Sequence, residues 1–389
     1  MVKASSIAAL VGETPVTAVG LYDLARQRER LGARIEDRID EVLKHGQFIL
    51  GPEVEELERN LASFCGARHA IAVSSGRDAL TMALMAIGVG PGDAVFVPGF
   101  TFSASAASVA PLGATPVFVD VEERSFNLDP AALEVAIDTV VREGRLQPRV
   151  VMPVDLYGLP ADYDTIAAIA ARYGMTVLAD AAQSFGGALG NRRVGTLAPI
   201  TATSFYPTKP LGAYGDGGAI FTEDDNLAEA VRMIRTHGRQ GSGDEALRIG
   251  MTGRLDTIQA AVLLVKLEAF ADELQRRQEV ADAYTAALDG EFIVPHVPQG
   301  RSSAWALYTI RVDGRDTVRD RLAASGVGSG LFYRIPLHRH PAFAQWVPDG
   351  LRLPVSERLA EEVLSLPIHG DLEDREIAFV VERLRSAVS

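Results

Sequence analysis

Between residues 70 and 178, short apolar runs alternate with helix-like segments, and this alternation constrains the fold more than any other feature. The runs at 70–73, 94–98, 116–120, 150–153 and 176–178 are rich in Val, Ala and Phe. Several are apolar at successive positions, the pattern of strands covered on both faces. Helix-like segments at 79–87, from Ser103 onward and at 163–173 lie between them. Strands alternating with helices imply an α/β fold, a mostly parallel sheet with helices on both sides.

At 389 residues the chain exceeds one comfortable core, so a large and a small domain are expected. Around 255–276 the pattern becomes one long amphipathic helix, and beyond it the elements shorten, with 308–312 as the clearest strand. The division therefore falls in that helix: a large α/β domain at 1–265 with an N-terminal helical segment, and a small α+β domain at 266–389. The helical segment, 21–44, ends at Gly46, and a second helix follows Pro52 with Glu53, Glu55 and Glu56 in its first turn, where acids suit the helix dipole.

The 38 basic and 51 acidic side chains leave a net charge of −13, which argues against nucleic acid or an anionic membrane as the main partner. The single cysteine, Cys65, forms no intramolecular disulfide and belongs to no metal-ligand cluster, so a reducing, cytoplasmic setting is expected and no metal site. No apolar run approaches the ~20 residues that span a bilayer. The opening, 1–13, is weak as a signal peptide because Gly12 and Glu13 soon close its short apolar patch.

Three stretches carry chemistry. In 201–222, Pro207 and Pro210 bracket Lys209 and argue against a continuous helix there, while Gly212, Gly215, Gly217 and Gly218 free the backbone for a tight loop before a β-like run. A lysine in an apolar setting loses its proton readily and serves as an amine nucleophile; the competing reading is an ordinary surface lysine. Asp180 and Gln183 end a parallel strand, where ligands of open α/β sheets bind, although an aspartate there also serves as a helix N-cap. Ser74-Ser-Gly-Arg-Asp78 lies between a strand and a helix, so unpaired N–H groups at the helix start suit a phosphate, or Ser74 and Ser75 simply cap the helix.

Taken together these stretches resemble the DegT/DnrJ/EryC1/StrS family of pyridoxal-phosphate-dependent nucleotide-sugar aminotransferases. The resemblance runs from about Gly20 to the end and rests on Gly46-Gln-Phe-Ile-Leu-Gly-Pro-Glu-Val54, Pro98-Gly-Phe-Thr-Phe102, Asp180-Ala-Ala-Gln183, Ser204-Phe-Tyr-Pro-Thr-Lys-Pro-Leu-Gly212 and Gly215-Asp-Gly-Gly218. It implies the fold type I, aspartate-aminotransferase-like architecture, pyridoxal 5'-phosphate as cofactor, and a homodimer with shared active sites. By position, Lys209 matches the Schiff-base lysine, Asp180 the partner of the pyridine nitrogen, Gln183 the neighbour of the ring hydroxyl, Phe102 the stacking residue and Ser204 a phosphate ligand. Ser75 and Gly76 match the phosphate turn.

Two positions depart from the family pattern. Arg77 stands where a small hydroxyl residue is usual, and Thr252, in Gly250-Met-Thr-Gly-Arg254, where an asparagine from the neighbouring subunit is usual. Within the family, the loop 45–54, the run 253–261 and Leu364-Ser-Leu-Pro-Ile-His369 resemble the 3-aminotransferases of UDP-2-acetamido-2-deoxy-3-oxo-glucuronate. Phe48, Arg254, Tyr333, Arg334 and His338 are candidates for the substrate side, with surface salt bridges as the alternative for the charged ones. The implied reaction moves an amino group from glutamate to a keto sugar nucleotide. Acceptors such as a 4-keto hexose or keto-cyclitol remain open, as does a non-catalytic binder that regulates a partner. A dehydratase is disfavoured because the family's dehydratases carry histidine in place of Lys209.

Overall fold

The computed structural model describes residues 15–241 and 243–389, so the opening stretch read against a signal peptide lies outside the described residues. Among the described residues twelve strands form in chain order: β1 His69–Val73, β2 Asp93–Pro98, β3 Thr115–Val119, β4 Gln147–Val151, β5 Thr176–Asp180, β6 Ala188–Leu189, β7 Arg192–Arg193, β8 Ile200–Ser204, β9 Gly218–Thr222, β10 Arg301–Ser302, β11 Tyr308–Arg311 and β12 Val363–Leu366. The helices are α1 Leu24–His45, α2 Pro52–Cys65, α3 Gly76–Ile87, α4 Ala104–Ala107, α5 Pro130–Glu143, α6 Tyr163–Arg172, α7 Asp225–Arg235, α8 Thr257–Glu268, α9 Phe270–Leu288, α10 Arg315–Ala324, α11 Pro354–Glu362 and α12 Asp374–Val388.

Seven strands make the main sheet in the order β1-β9-β8-β5-β4-β2-β3. The pairs from β8 to β3 are parallel, and β9 runs antiparallel to both β8 and β1. The mostly parallel sheet expected from the sequence is therefore present. Alternate residues of its strands enter opposite layers, as a period of two requires. Val95, Val97, Leu178, Ile200 and Ile220 pack on one face with Leu80 and Leu84 of α3 and Val231 of α7. On the other face Phe96, Val151 and Val177 meet α5 and α6, while Ala72, Ala219 and Phe221 meet α2 and α8. This two-sided cover explains why the strand sequences read as nearly continuous apolar runs.

The long helix expected at 255–276 is instead two helices. α8 ends at Ala269, whose ψ of 3° leaves the helical range, and α9 restarts at Phe270 with Asp272 and Glu273 in its first turn. The break accommodates different surroundings. α8 is buried from Ala260 through Lys266 in the large layer, whereas Val280, Tyr284 and Leu288 of α9 enter a second core with Tyr308, Ile310, Leu364, Leu366 and Val380. Val19 also joins that core. The helix expected from Ser103 is a single short turn, α4, followed by a 3-10 turn at Ala110–Leu112.

Candidate active site

The carboxyl ends of β2, β5 and β8 and the start of α3 surround one cavity of about 400 Å³. Ligand sites of open α/β sheets form at such ends. Lys209 reaches it from the loop after β8. That loop is held against the large core by buried Phe205, Leu211 and Ala213, and it folds back through Ala213 N–H to Phe205 O at 2.7 Å and Lys209 N–H to Tyr206 O at 2.8 Å. Gly212 is required at the fold-back, since a Cβ there would stand 2.4 Å from Pro207 O.

Asp180, at the end of β5, is buried and faces the same cavity. Its Oδ2 accepts from Ser105 Oγ at 2.8 Å and its Oδ1 from Ala182 N–H at 3.2 Å. Burial raises the pKa of this carboxyl, while the Ser105 and Ala182 bonds and the Lys209 charge pull it down. For Lys209, burial lowers the pKa to about 8, and Asp180 opposes that shift. The lysine still opens onto the cavity, so its amine is both desolvated and within reach of a ligand.

Gln183, also buried, spans two parts of the wall. Its Oε1 accepts from Tyr157 N–H at 2.7 Å, and its Nε2 donates to Tyr333 Oη at 3.1 Å. Phe102 is exposed, and its ring lies 5.8 Å from that of Tyr333 across the cavity. At the opposite end Ser75 caps α3, its Oγ accepting from Asp78 N–H at 3.0 Å. The hydroxyl is thus used as a helix cap, while the cavity-lining turn presents the backbone of the helix start. Gly76 allows that turn to press against β8, because a Cβ there would sit 2.6 Å from Ser204 Cβ. Arg77 lines the cavity with one guanidinium nitrogen, Nη2, tied to Ala107 O at 3.3 Å.

The structure thus gathers Lys209, Asp180, Gln183, Ser75, Gly76, Arg77, Phe102, Ser204 and Tyr333 into one lining. Five expected residues stand outside it. Phe48 is exposed beside Ile49 and Leu50 in the loop between α1 and α2. Thr252 Oγ1 is 3.3 Å from His237 Nε2, and Arg254 bridges to Val73 at the end of β1. Arg334 points to Asp316 at 3.9 Å. His338 is buried against Glu357, with Nε2 3.0 Å from Oε1.

The lining also includes residues that the sequence did not single out, among them Tyr22, Thr101 and Asp216. Thr101 is buried with no hydrogen-bond partner for its Oγ1 among the described residues. One signal was available for the lysine. The chain has only four, Lys3, Lys44, Lys209 and Lys266, so the reading of Lys209 as an ordinary surface lysine had little to draw on. Among the described residues no group of three or more His, Cys, Asp or Glu is arranged to hold a metal ion.

Residues 29–385 match the DegT/DnrJ/EryC1/StrS aminotransferase family. The chain is 47% identical over 367 residues to the UDP-2-acetamido-2-deoxy-3-oxo-D-glucuronate aminotransferase of Pseudomonas aeruginosa, covering 94% of this chain and 99% of that protein. Among solved structures, a DegT DnrJ EryC1 StrS aminotransferase from Brucella abortus superposes with a TM-score of 0.93 at 46% identity, over 95% of this chain and 99% of that one. NtdA from Bacillus subtilis with bound cofactor PMP superposes with a TM-score of 0.88 at 30% identity, over 97% and 86%. With the parallel sheet and the lysine–aspartate cavity at its strand ends, these matches make the chain a member of the DegT/DnrJ/EryC1/StrS aminotransferase family.

Proposed function

We propose that the protein is a pyridoxal-phosphate-dependent aminotransferase that moves an amino group from glutamate to a keto sugar nucleotide, with UDP-2-acetamido-2-deoxy-3-oxo-glucuronate as the preferred acceptor. The observation that carries this reading is the pairing of Lys209 and Asp180 across one cavity, the lysine lowered to about 8 and the carboxyl buried. The cavity fits the cofactor. It offers a glycine-lined helix start for a phosphate, a buried carboxylate, an aromatic side chain and the unpartnered Thr101 hydroxyl. Pyridoxal phosphate, when bound, supplies an electron sink that stabilises negative charge at the α-carbon of an amino acid.

The protein's own residues do the rest. Lys209 is the attachment point and, once released, carries the proton to and from the substrate α-carbon; an amine titrating near 8 is suited to both. Asp180, whose oxygens accept from Ser105 Oγ and Ala182 N–H, would hold the pyridine nitrogen in its protonated form. Ser204, Gly76 and the α3 start take the phosphate, with Arg77 beside them. Gln183 would meet the ring hydroxyl, and Phe102 would cover the ring. In this reading residues 1–265 carry the cofactor and 266–389 close the substrate side, to which Tyr333 belongs.

The homodimer belongs to the same proposal. Phe48, Ile49, Leu50, Tyr206, Tyr214 and Ile249 expose large apolar side chains, and Thr252 and Arg254, close to Ile249 in sequence, do not line this subunit's own cavity. We assign Phe48, Thr252 and Arg254 to the site of a second copy, and Arg334 to an acidic substrate group. A cytoplasmic location accords with the buried free thiol of Cys65. Among the described residues no helix is long and apolar enough to cross a membrane. The test is glutamate-dependent amination across a panel of keto sugar nucleotides. Product from the 3-oxo-glucuronate alone or at the highest kcat/KM supports the acceptor, whereas bound cofactor whose absorbance ignores glutamate would point to a binder.

A further inference from the structure

Lys209 divides two spaces. One side lines the large cavity, and behind it a second cavity of about 20 Å³ is bounded by Tyr22, Thr208, Lys209, Glu273, Arg277 and His369. That volume suits about one water, which needs two to four polar partners. Two of the wall's groups are already committed to each other: Arg277 Nε donates to Glu273 Oε1 at 2.7 Å and Nη1 to Trp305 O at 2.9 Å, while Glu273 Oε1 also accepts from Gly370 N–H at 3.0 Å. His369 is not so committed. It is buried at 7% exposure, and its Nδ1 has no hydrogen-bond partner among the described residues. A buried nitrogen left this way is costly unless a water serves it. Burial, and then the Arg277 charge, keep the imidazole toward its neutral form, so one ring nitrogen is free to accept.

We propose that one ordered water in the small cavity joins His369 to the Lys209 amine and hydrates that amine from the side away from the large cavity, so that His369 sets through the water how firmly Lys209 holds its proton. The proposal rests on Lys209 being the reactive lysine. His369 is then a positioning residue, supplied by the loop after β12, and it ties the reactivity of a lysine in the main sheet's site to the C-terminal part of the chain. Lys209 also faces Asp180 from β5, Arg77 from α3, and Tyr206, Asp216 and Tyr333 around the large cavity. Behind it stand Tyr22, Asp23, Glu273, Arg277 and Asp371, and His369 itself faces Arg277, Asp23, Asp371, Glu273 and Glu376.

The experiment is pH-dependent acylation of the cofactor-free full-length protein with acetic anhydride, read by peptide mass at Lys209 with exposed Lys44 as the internal reference. Replacing His369 by leucine removes the water's partner and further desolvates the amine. The Lys209 midpoint in His369→Leu is expected to fall by at least about half a pH unit, roughly threefold more free amine at a fixed pH below it. His369→Gln keeps a polar partner and restores the midpoint to near wild type. A midpoint in His369→Leu equal to wild type, or His369→Gln shifted as far as His369→Leu, overturns the proposal. If His369→Leu does not fold, His369→Met decides in its place: a lowered midpoint supports the water, an unchanged one removes it. The readout needs no cofactor, so it stands apart from borohydride mapping of the cofactor lysine, which tests the aminotransferase reading itself.

Discussion

The Ser105 hydroxyl donates a 2.8 Å hydrogen bond to Asp180 Oδ2, joining the short helix after β2 to the end of β5 across 75 positions of sequence. Burial drives the Asp180 carboxyl toward its neutral form, and this bond is foremost among the contacts that oppose the shift. Ser105→Ala removes the donor without adding bulk. A bond to a charged group contributes about 1.5 kcal/mol or more, so the affinity of the apo-protein for pyridoxal phosphate is expected to fall about tenfold. Titration followed by visible absorbance measures it. Unchanged affinity would mean that Asp180 does not contact the cofactor.

Replacing Lys209 by alanine removes both the attachment point and the proton carrier. Amino transfer is expected to drop at least about 10³-fold, within the range for a lost acid–base group and beyond a mere weakening of binding. With four lysines in the chain, the attachment is easily mapped. Borohydride reduction of the wild-type holoenzyme should fix the cofactor to the peptide containing residue 209 and to none in Lys209→Ala. Wild-type label at Lys44 or Lys266 would contradict the assignment.

How much of this was legible in the sequence follows from the range of the interactions. The strand ends, the Pro-bracketed lysine and the glycine turn before α3 are local signals, because φ/ψ freedom, apolar runs and helix starts are written in neighbouring residues. The lysine and the aspartate therefore appear at one cavity as the strand reading anticipates. Partners brought from afar were not legible: Gln183 meets Tyr333 across 150 positions, and Ser105 sat in a run of small residues that read only as helix. The break at Ala269 carried no glycine or proline to mark it, and its cause is tertiary, the parting of α8 and α9 into two cores. His338 stood out in the sequence as part of a suggestive loop, but its contact with Glu357, 19 positions away, was not legible there.

Gly76→Ala tests the close approach of α3 to β8. The new Cβ would lie 2.6 Å from Ser204 Cβ and 3.2 Å from its Cα, so the helix start must move away from the site. Overpacking of this kind costs about 1–3 kcal/mol, and the displaced N–H groups should weaken cofactor binding about tenfold or more. Gly90→Ala is the matching control, because nothing lies within 4 Å of a Cβ at that position. Thermal melts and cofactor titration of the two variants separate the effects. Equal affinity in both would show that the α3 turn does not hold the phosphate.

Asp155 offers a prediction about stability. Its carboxyl is wholly buried and accepts from Ser184 Oγ at 2.6 Å, Ala161 N–H at 2.8 Å and Tyr163 Oη at 2.8 Å, yet burial outweighs these bonds and its pKa is pushed up from 3.8 to about 7. The folded state therefore binds a proton that the unfolded chain releases near pH 4. A raised pKa of this sign adds stability that is complete below the unfolded value and is lost as pH rises through the folded value. Asp155→Asn keeps the neutral shape and one acceptor oxygen but does not titrate. Relative to wild type, its Tm should improve as pH climbs from about 4 through about 7 and then level off. A constant Tm difference across that window would show that Asp155 stays ionised in the folded protein and that its three donors, not burial, decide its charge.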